Sequence, residues 1–209
     1  MTKFWHGPAL AKLMRAIHSY SSMLVLVLLL FFAITGITLN HPDFIVSKAG
    51  QVSQQAELTL PVHLQFSELP ESDEEQAKLA EQFRDWLSSE HQLKASVFSY
   101  AFEPDEMLLE LDFKRPAGYA SVVVDFSAGT AELDTEFGGY LALLNDLHKG
   151  RNAGTSWILL IDLTAIACII FALTGFYLIL KQPSRRSLGN SLAMLGIFLT
   201  LFAYILSLH

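Results

Sequence analysis

Apolar residues in this chain gather into long runs, with one extended polar stretch between the first and the second. Met23 to Leu39 holds no charged residue and continues a run that begins near Leu13. Trp157 to Leu180 is apolar apart from Asp162, and Leu188 to Leu208 is uncharged. Each run is about 20 residues, the length that crosses roughly 30 Å of hydrocarbon at 1.5 Å per residue. Three membrane-spanning helices are predicted. Between the first two the pattern changes. Ser72-Asp-Glu-Glu75 reads as a helix start, with a capping hydroxyl, an acidic first turn and Glu75 closing a capping box. Leu79, Phe83, Trp86 and Leu87 recur at three-to-four spacing, so Asp73 to Ser89 presents one face to a core. Four strand-like runs follow: Ala95 to Phe102, Met107 to Phe113, Tyr119 to Phe126 and Thr130 to Thr135. Pro104-Asp105, Pro116-Ala-Gly118 and Ala128-Gly129 separate them as turns. The fold class is therefore an α+β membrane protein: three transmembrane helices and an extracytoplasmic helix laid on an antiparallel meander. Residues 1–40 hold the N-terminus and the first helix, 41–155 the outer domain, 156–181 the second helix, and 182–209 a turn and the third.

Charge gives this plan a direction. Of 209 residues, 52% are hydrophobic and the formal net charge is −7. Between His41 and Thr155 there are 20 acidic residues against 8 Lys and Arg, whereas the short flanks hold Lys3, Lys12, Arg15, Lys181, Arg185 and Arg186. Short basic flanks stay in the cytoplasm, while a long loop translocates largely regardless of its charge. The N-terminus is expected inside, and the acidic domain and C-terminus outside, in the periplasm of a bacterial inner membrane. The first run is too long for a signal h-region and no A-x-A-like site follows it, so a retained signal-anchor is expected. The single cysteine, Cys168, lies within the second helix, which excludes an internal disulfide, a thiol metal cluster and a C-x-x-C-H haem attachment site. The acidic outer domain shows no catalytic constellation; its surface suits cations rather than nucleic acid.

Candidate chemistry sits at the ends of the apolar runs. Phe32-Ala-Ile-Thr-Gly-Ile-Thr-Leu39 and Phe171-Ala-Leu-Thr-Gly-Phe-Tyr-Leu178 are near-copies. His41 follows the first copy and precedes Pro42, and His148 lies just before the helix that carries the second. Antiparallel helices would bring both histidines to the outer level, as a b-type haem held by two imidazoles requires; alternatively both are interfacial polar residues. His18 lies 23 residues before His41, about 35 Å along an ideal helix, so those two cannot share a haem. An inner haem would take Met194 or the His18 of a second subunit as its other ligand; otherwise His18 is an interfacial anchor. His209 is a further outer-level candidate. Gly36 and Gly175 would let a helix backbone or a flat cofactor approach closely. Lys149 and Arg151 would pair with haem propionates or lipid headgroups. Asp162, alone in an apolar run, is expected to face the bundle interior or water, either as a functional carboxylate or as an acceptor for a neighbouring hydroxyl.

Together, His18-Ser-Tyr20, Thr35-Gly-Ile-Thr-Leu-Asn-His-Pro42 and Leu144-Asn-Asp-Leu-His-Lys-Gly-Arg-Asn-Ala-Gly-Thr-Ser-Trp157 resemble the PepSY-associated transmembrane family of bacteria. Larger members are described as inner-membrane reductases, including siderophore-iron reductases with haem between their helices. The resemblance implies haem b as cofactor, with the family's motif histidines at His18, His41 and His148, and ferric iron or a ferric chelate as acceptor. This chain is shorter, with three helices, one PepSY-like domain and no flavin or nicotinamide module, so a quinol or a separate protein would donate electrons. A reading of a different class is a non-enzymatic membrane accessory whose outer domain binds or helps assemble a periplasmic or transporter partner; a second copy of the chain, as a homodimer, is a further candidate partner.

Overall fold

The computed structural model describes residues 7–41, 50–66, 69–70 and 72–208; Lys3, Pro42 and His209 lie outside them. The chain divides into two compact units, Met1–Phe31 with Ile161–His209, and Phe32–Leu160.

Among the described residues, three helices are long and apolar enough to cross a membrane: α1 (Pro8–Asn40), α4 (Gly154–Leu180) and α5 (Pro183–Ser207). In the unit that contains all of α5, the buried side chains are few and small: Ser21, Val25, Thr164, Ala167 and Thr174. Small residues let membrane helices meet closely, and the leucines and isoleucines left outside are matched to lipid. Lys181 and Gln182 separate α4 from α5, and Pro183 opens the new helix, where its missing N–H costs nothing.

The other unit is built on a five-stranded antiparallel sheet: β1 (Val52–Thr59), β2 (Val97–Glu103), β3 (Leu108–Arg115), β4 (Gly118–Asp125) and β5 (Thr130–Phe137). The spatial order is β1-β5-β4-β3-β2. Four strands match the expected runs to within a few residues. The fifth, β1, was not foreseen: its sequence is polar and almost wholly exposed, so no buried alternation marks it. It is held at the sheet edge by full pairing with β5, from Val52 opposite Phe137 to Thr59 opposite Thr130.

Helix α2 (Asp73–Glu90) begins at Ser72, whose hydroxyl accepts from the Glu75 amide as the capping box requires. It covers one face of the sheet. Phe83 and Leu87 are fully buried with Leu109, Leu111, Phe113, Val122 and Val124 in a single core. Burying each such side chain is worth about 1.5–3 kcal/mol before entropy is counted. Strands β3 and β4 contribute alternate residues to this core and leave Glu110, Asp112, Tyr119, Ser121 and Val123 on the opposite face. No described helix covers that second face; Glu57, Glu132 and Asp134 extend it, with Glu57 directly opposite Glu132.

Candidate functional site

A short helix, α3 (Gly139–Lys149), joins the sheet to the membrane segments of its unit. Four consecutive residues near its C-terminus each bond a different place. Asn145 meets the Thr38 hydroxyl on α1 at 3.1 Å. Asp146 accepts the Ala117 amide from the β3–β4 turn at 2.8 Å, and the carbonyl of Leu147 accepts the Trp157 indole N–H of α4 at 2.8 Å. His148 turns to Thr35. The helix breaks between His148 and α4: Gly150 caps α3 in the left-handed conformation (φ 68°), and α4 starts at Gly154 (φ 73°).

The imidazole of His148 is half-buried against the first Thr-Gly motif. Its Nδ1 lies 2.6 Å from Thr35 Oγ1, and Phe32 meets the ring edge to face at 5.2 Å between centroids. A β-carbon on Gly36 would stand 3.4 Å from His148 Cε1. Glycine here makes room for the edge of an imidazole. Among the described residues, Thr35 is the one hydrogen-bond partner of this ring.

His18, in the other unit, has a setting built from the same parts. Its Nδ1 lies 3.1 Å from the Phe171 carbonyl and 3.2 Å from Thr174 Oγ1. Phe171 stacks on the imidazole at 4.6 Å and 12°. A β-carbon on Gly175 would stand 2.9 Å from His18 Cε1. Each Phe-Ala-x-Thr-Gly copy therefore holds one histidine through its phenylalanine, threonine and glycine. The repeat was visible in the sequence, and each of its glycines borders the imidazole that its copy holds. That each copy receives a histidine from another helix was not visible, because His148 follows Thr35 by 113 residues and His18 precedes Thr174 by 156.

These contacts bear on where the ring protons sit. A carbonyl oxygen only accepts, so the His18 Nδ1 facing Phe171 must carry the hydrogen. The Thr174 hydroxyl has the Ile170 and Phe171 carbonyls at 2.7 and 3.0 Å as places for its own proton, and either leaves an oxygen lone pair for Nδ1. The Thr35 hydroxyl has two places for its proton, the Phe32 carbonyl at 3.4 Å and His148 Nδ1 at 2.6 Å; with the first, its oxygen accepts from His148. No hydrogen bond from a described residue reaches the Nε2 of either imidazole.

The remaining candidates lie elsewhere. His41 is exposed just past the end of α1, its amide bonded to the Thr38 carbonyl at 3.3 Å, and neither a hydrogen bond nor a ring contact joins it to His148. Lys149 and Arg151 are exposed beside the end of α3; Arg151 borders a polar groove with Arg115, Tyr119, Glu136 and Asp146. Met194 is exposed on α5. Asp162 is exposed on α4, on the side away from that helix's buried residues. The buried line of α4 runs through Thr164, Ala167 and Thr174, and two residues from Thr164 is about 200° around the helix. Among the described residues no three His, Cys, Asp or Glu side chains gather to hold a metal ion by themselves.

A family model described as PepSY_TM-like matches residues 9–209. The chain belongs to this family. It is a membrane protein, with a PepSY-like sheet domain between its first and second spanning helices. No curated protein and no solved structure matches it. Haem b, the group that the sequence resemblance implies, asks for imidazoles that present a free nitrogen lone pair while the other nitrogen is anchored. The donor chemistry of His18 and His148 fits that requirement.

Proposed function

We propose that this protein binds haem b in the membrane and passes electrons to an acceptor outside it, such as ferric iron or a ferric chelate. The observation that supports this reading is the shared state of His18 and His148, both tethered through Nδ1 in apolar surroundings with Nε2 unengaged. Imidazole tethered in this way is a metal ligand held in one orientation, and the tether keeps the proton off the ligating atom. His148 and His18 would each supply a ligating nitrogen, with His41 the candidate second ligand at the outer level. Haem contributes one-electron chemistry; the chain contributes ligation, placement and exclusion of water. On the orientation derived from the basic flanks, His18 belongs to the cytoplasmic side and His148 to the outer side. Electrons would enter from a quinol or protein donor and leave toward the periplasm.

The test is a reduced-minus-oxidised absorbance spectrum of the protein purified in mild detergent, with haem quantified per chain. Sharp b-type bands are expected, weakened by His148→Ala and by His18→Ala separately. A colourless protein after expression with ample haem would refute the proposal and favour the accessory-protein reading.

A further inference from the structure

The two Thr-Gly motifs look alike, but the acceptor that faces Nδ1 differs between them. His18 has a backbone carbonyl, Phe171 O at 3.1 Å, beside the Thr174 hydroxyl at 3.2 Å. His148 has a hydroxyl alone, Thr35 Oγ1 at 2.6 Å. A carbonyl cannot rotate or donate, so it dictates the tautomer whatever its neighbours do. A hydroxyl both donates and accepts, and its preference is set by where its proton goes; for Thr35 the place that leaves its oxygen to accept is the Phe32 carbonyl one turn back at 3.4 Å. The geometry points to Thr35 as the positioning residue that sets the tautomer of His148, directing Nε2 toward a ligand. In the His18 setting the main chain of Phe171 does this, and Thr174 is a secondary acceptor. The glycines complete the device: each admits the imidazole edge, so that the ring comes close enough to its acceptor for the bond to form.

This assignment deepens the haem reading, and its role at the iron rests on that reading. It names an asymmetry that mere helix packing would not produce. Replacing threonine by valine keeps the shape and β-branching and removes the hydroxyl. Thr35→Val deletes the one acceptor at His148 Nδ1, whereas Thr174→Val leaves His18 bonded to Phe171.

The experiment is nitrogen NMR on haem-free protein labelled at its histidines, with His148 and His18 signals assigned by His→Gln variants. In the unsubstituted chain both rings should show the Nδ1–H form. Thr35→Val should move His148 toward the Nε2–H form that free imidazole favours, Thr35→Ser should restore it, and Thr174→Val should leave His18 as it was. In haem-loaded protein, Thr35→Val should weaken haem retention at the His148 site on the order of 10-fold, as loss of an anchoring partner does at other histidine–metal sites, and Thr174→Val by much less. The NMR arm needs no haem. A colourless chain whose His148 still responds to Thr35→Val sinks the haem reading and leaves the tautomer assignment standing. A His148 signal that Thr35→Val does not move, or a His18 signal that Thr174→Val moves as much, overturns the assignment itself.

Discussion

Replacing Gly175 and Gly36 by alanine in turn separates the two histidine settings by a distance. At Gly175 the added β-carbon would stand 2.9 Å from His18 Cε1 and 3.4 Å from Nδ1. Carbon atoms at rest are about 3.5–4.0 Å apart, so the ring must retreat by about 0.5–1 Å. Its bond to the Phe171 carbonyl starts at 3.1 Å, and such a retreat takes it past hydrogen-bonding range. The lost bond costs about 1 kcal/mol, and the change from glycine to alanine in a helix returns about as much. Overall stability should therefore change by less than about 1 kcal/mol, while the His18 ring moves. At Gly36 the corresponding contact is 3.4 Å, and a few tenths of an ångström suffice. Gly36→Ala should be neutral or stabilising by up to about 1 kcal/mol, with the His148 ring in place. Thermal unfolding in detergent reads the first quantity, and histidine nitrogen shifts read the second. Equal displacement of the two rings, or a larger one at His148, would refute the reasoning.

Further expectations concern the sheet unit and the lipid-facing surface. Ser72→Ala removes the cap of α2 and should lower the stability of the sheet unit by about 1 kcal/mol in a denaturant titration. Glu132→Lys replaces a like-charge pair with Glu57 by an opposite one and should stabilise by a few tenths of a kcal/mol, an effect that salt should diminish. The Tyr119 hydroxyl donates to Asp112 at 2.5 Å, and this bond raises the phenol above its ordinary range. A raised folded-state value means stability that is full below the unfolded phenol's range and lost as pH climbs through the folded one. Tyr119→Phe should accordingly flatten the alkaline part of the stability curve, and an unchanged curve would argue against the bond. Asp162→Leu, on the face of α4 opposite its buried line, should leave both histidine rings unmoved; a shifted His18 signal would show that the face was misread.

The spanning helices and the α2-on-sheet core were legible because both rest on hydrophobic period. The 20-residue runs and the spacing of Leu79, Phe83, Trp86 and Leu87 leave few other ways to bury apolar surface. β1 was illegible for the converse reason: Ser53, Gln54, Gln55 and Glu57 carry no alternation, and the strand exists because β5 has an edge to pair. For Asp162, cost in lipid asks for the bundle interior or water but does not say on which side of α4 the residue falls. At the site, the sequence disclosed the paired Thr-Gly motifs and the histidines separately. Their union depends on which helix faces lie together, and that is a property of packing rather than of any local pattern.

The local run around His148 shows why the sheet unit cannot be treated as an appendage to a histidine site. His148 is the last of four residues, and the other three tie α3 to α1, to the β3–β4 turn and to α4. A hydroxyl acceptor is directional only if the ring stays in reach of it, and a ring on an 11-residue helix is held by whatever holds that helix. Asp146 accepts from Ala117, so part of that hold comes from the sheet. His18 needs no such scaffold, because it sits within a 33-residue helix and faces a fixed carbonyl. The same short motif thus serves one histidine with the main chain and the other with a rotor, and only the second setting depends on the sheet unit for its aim.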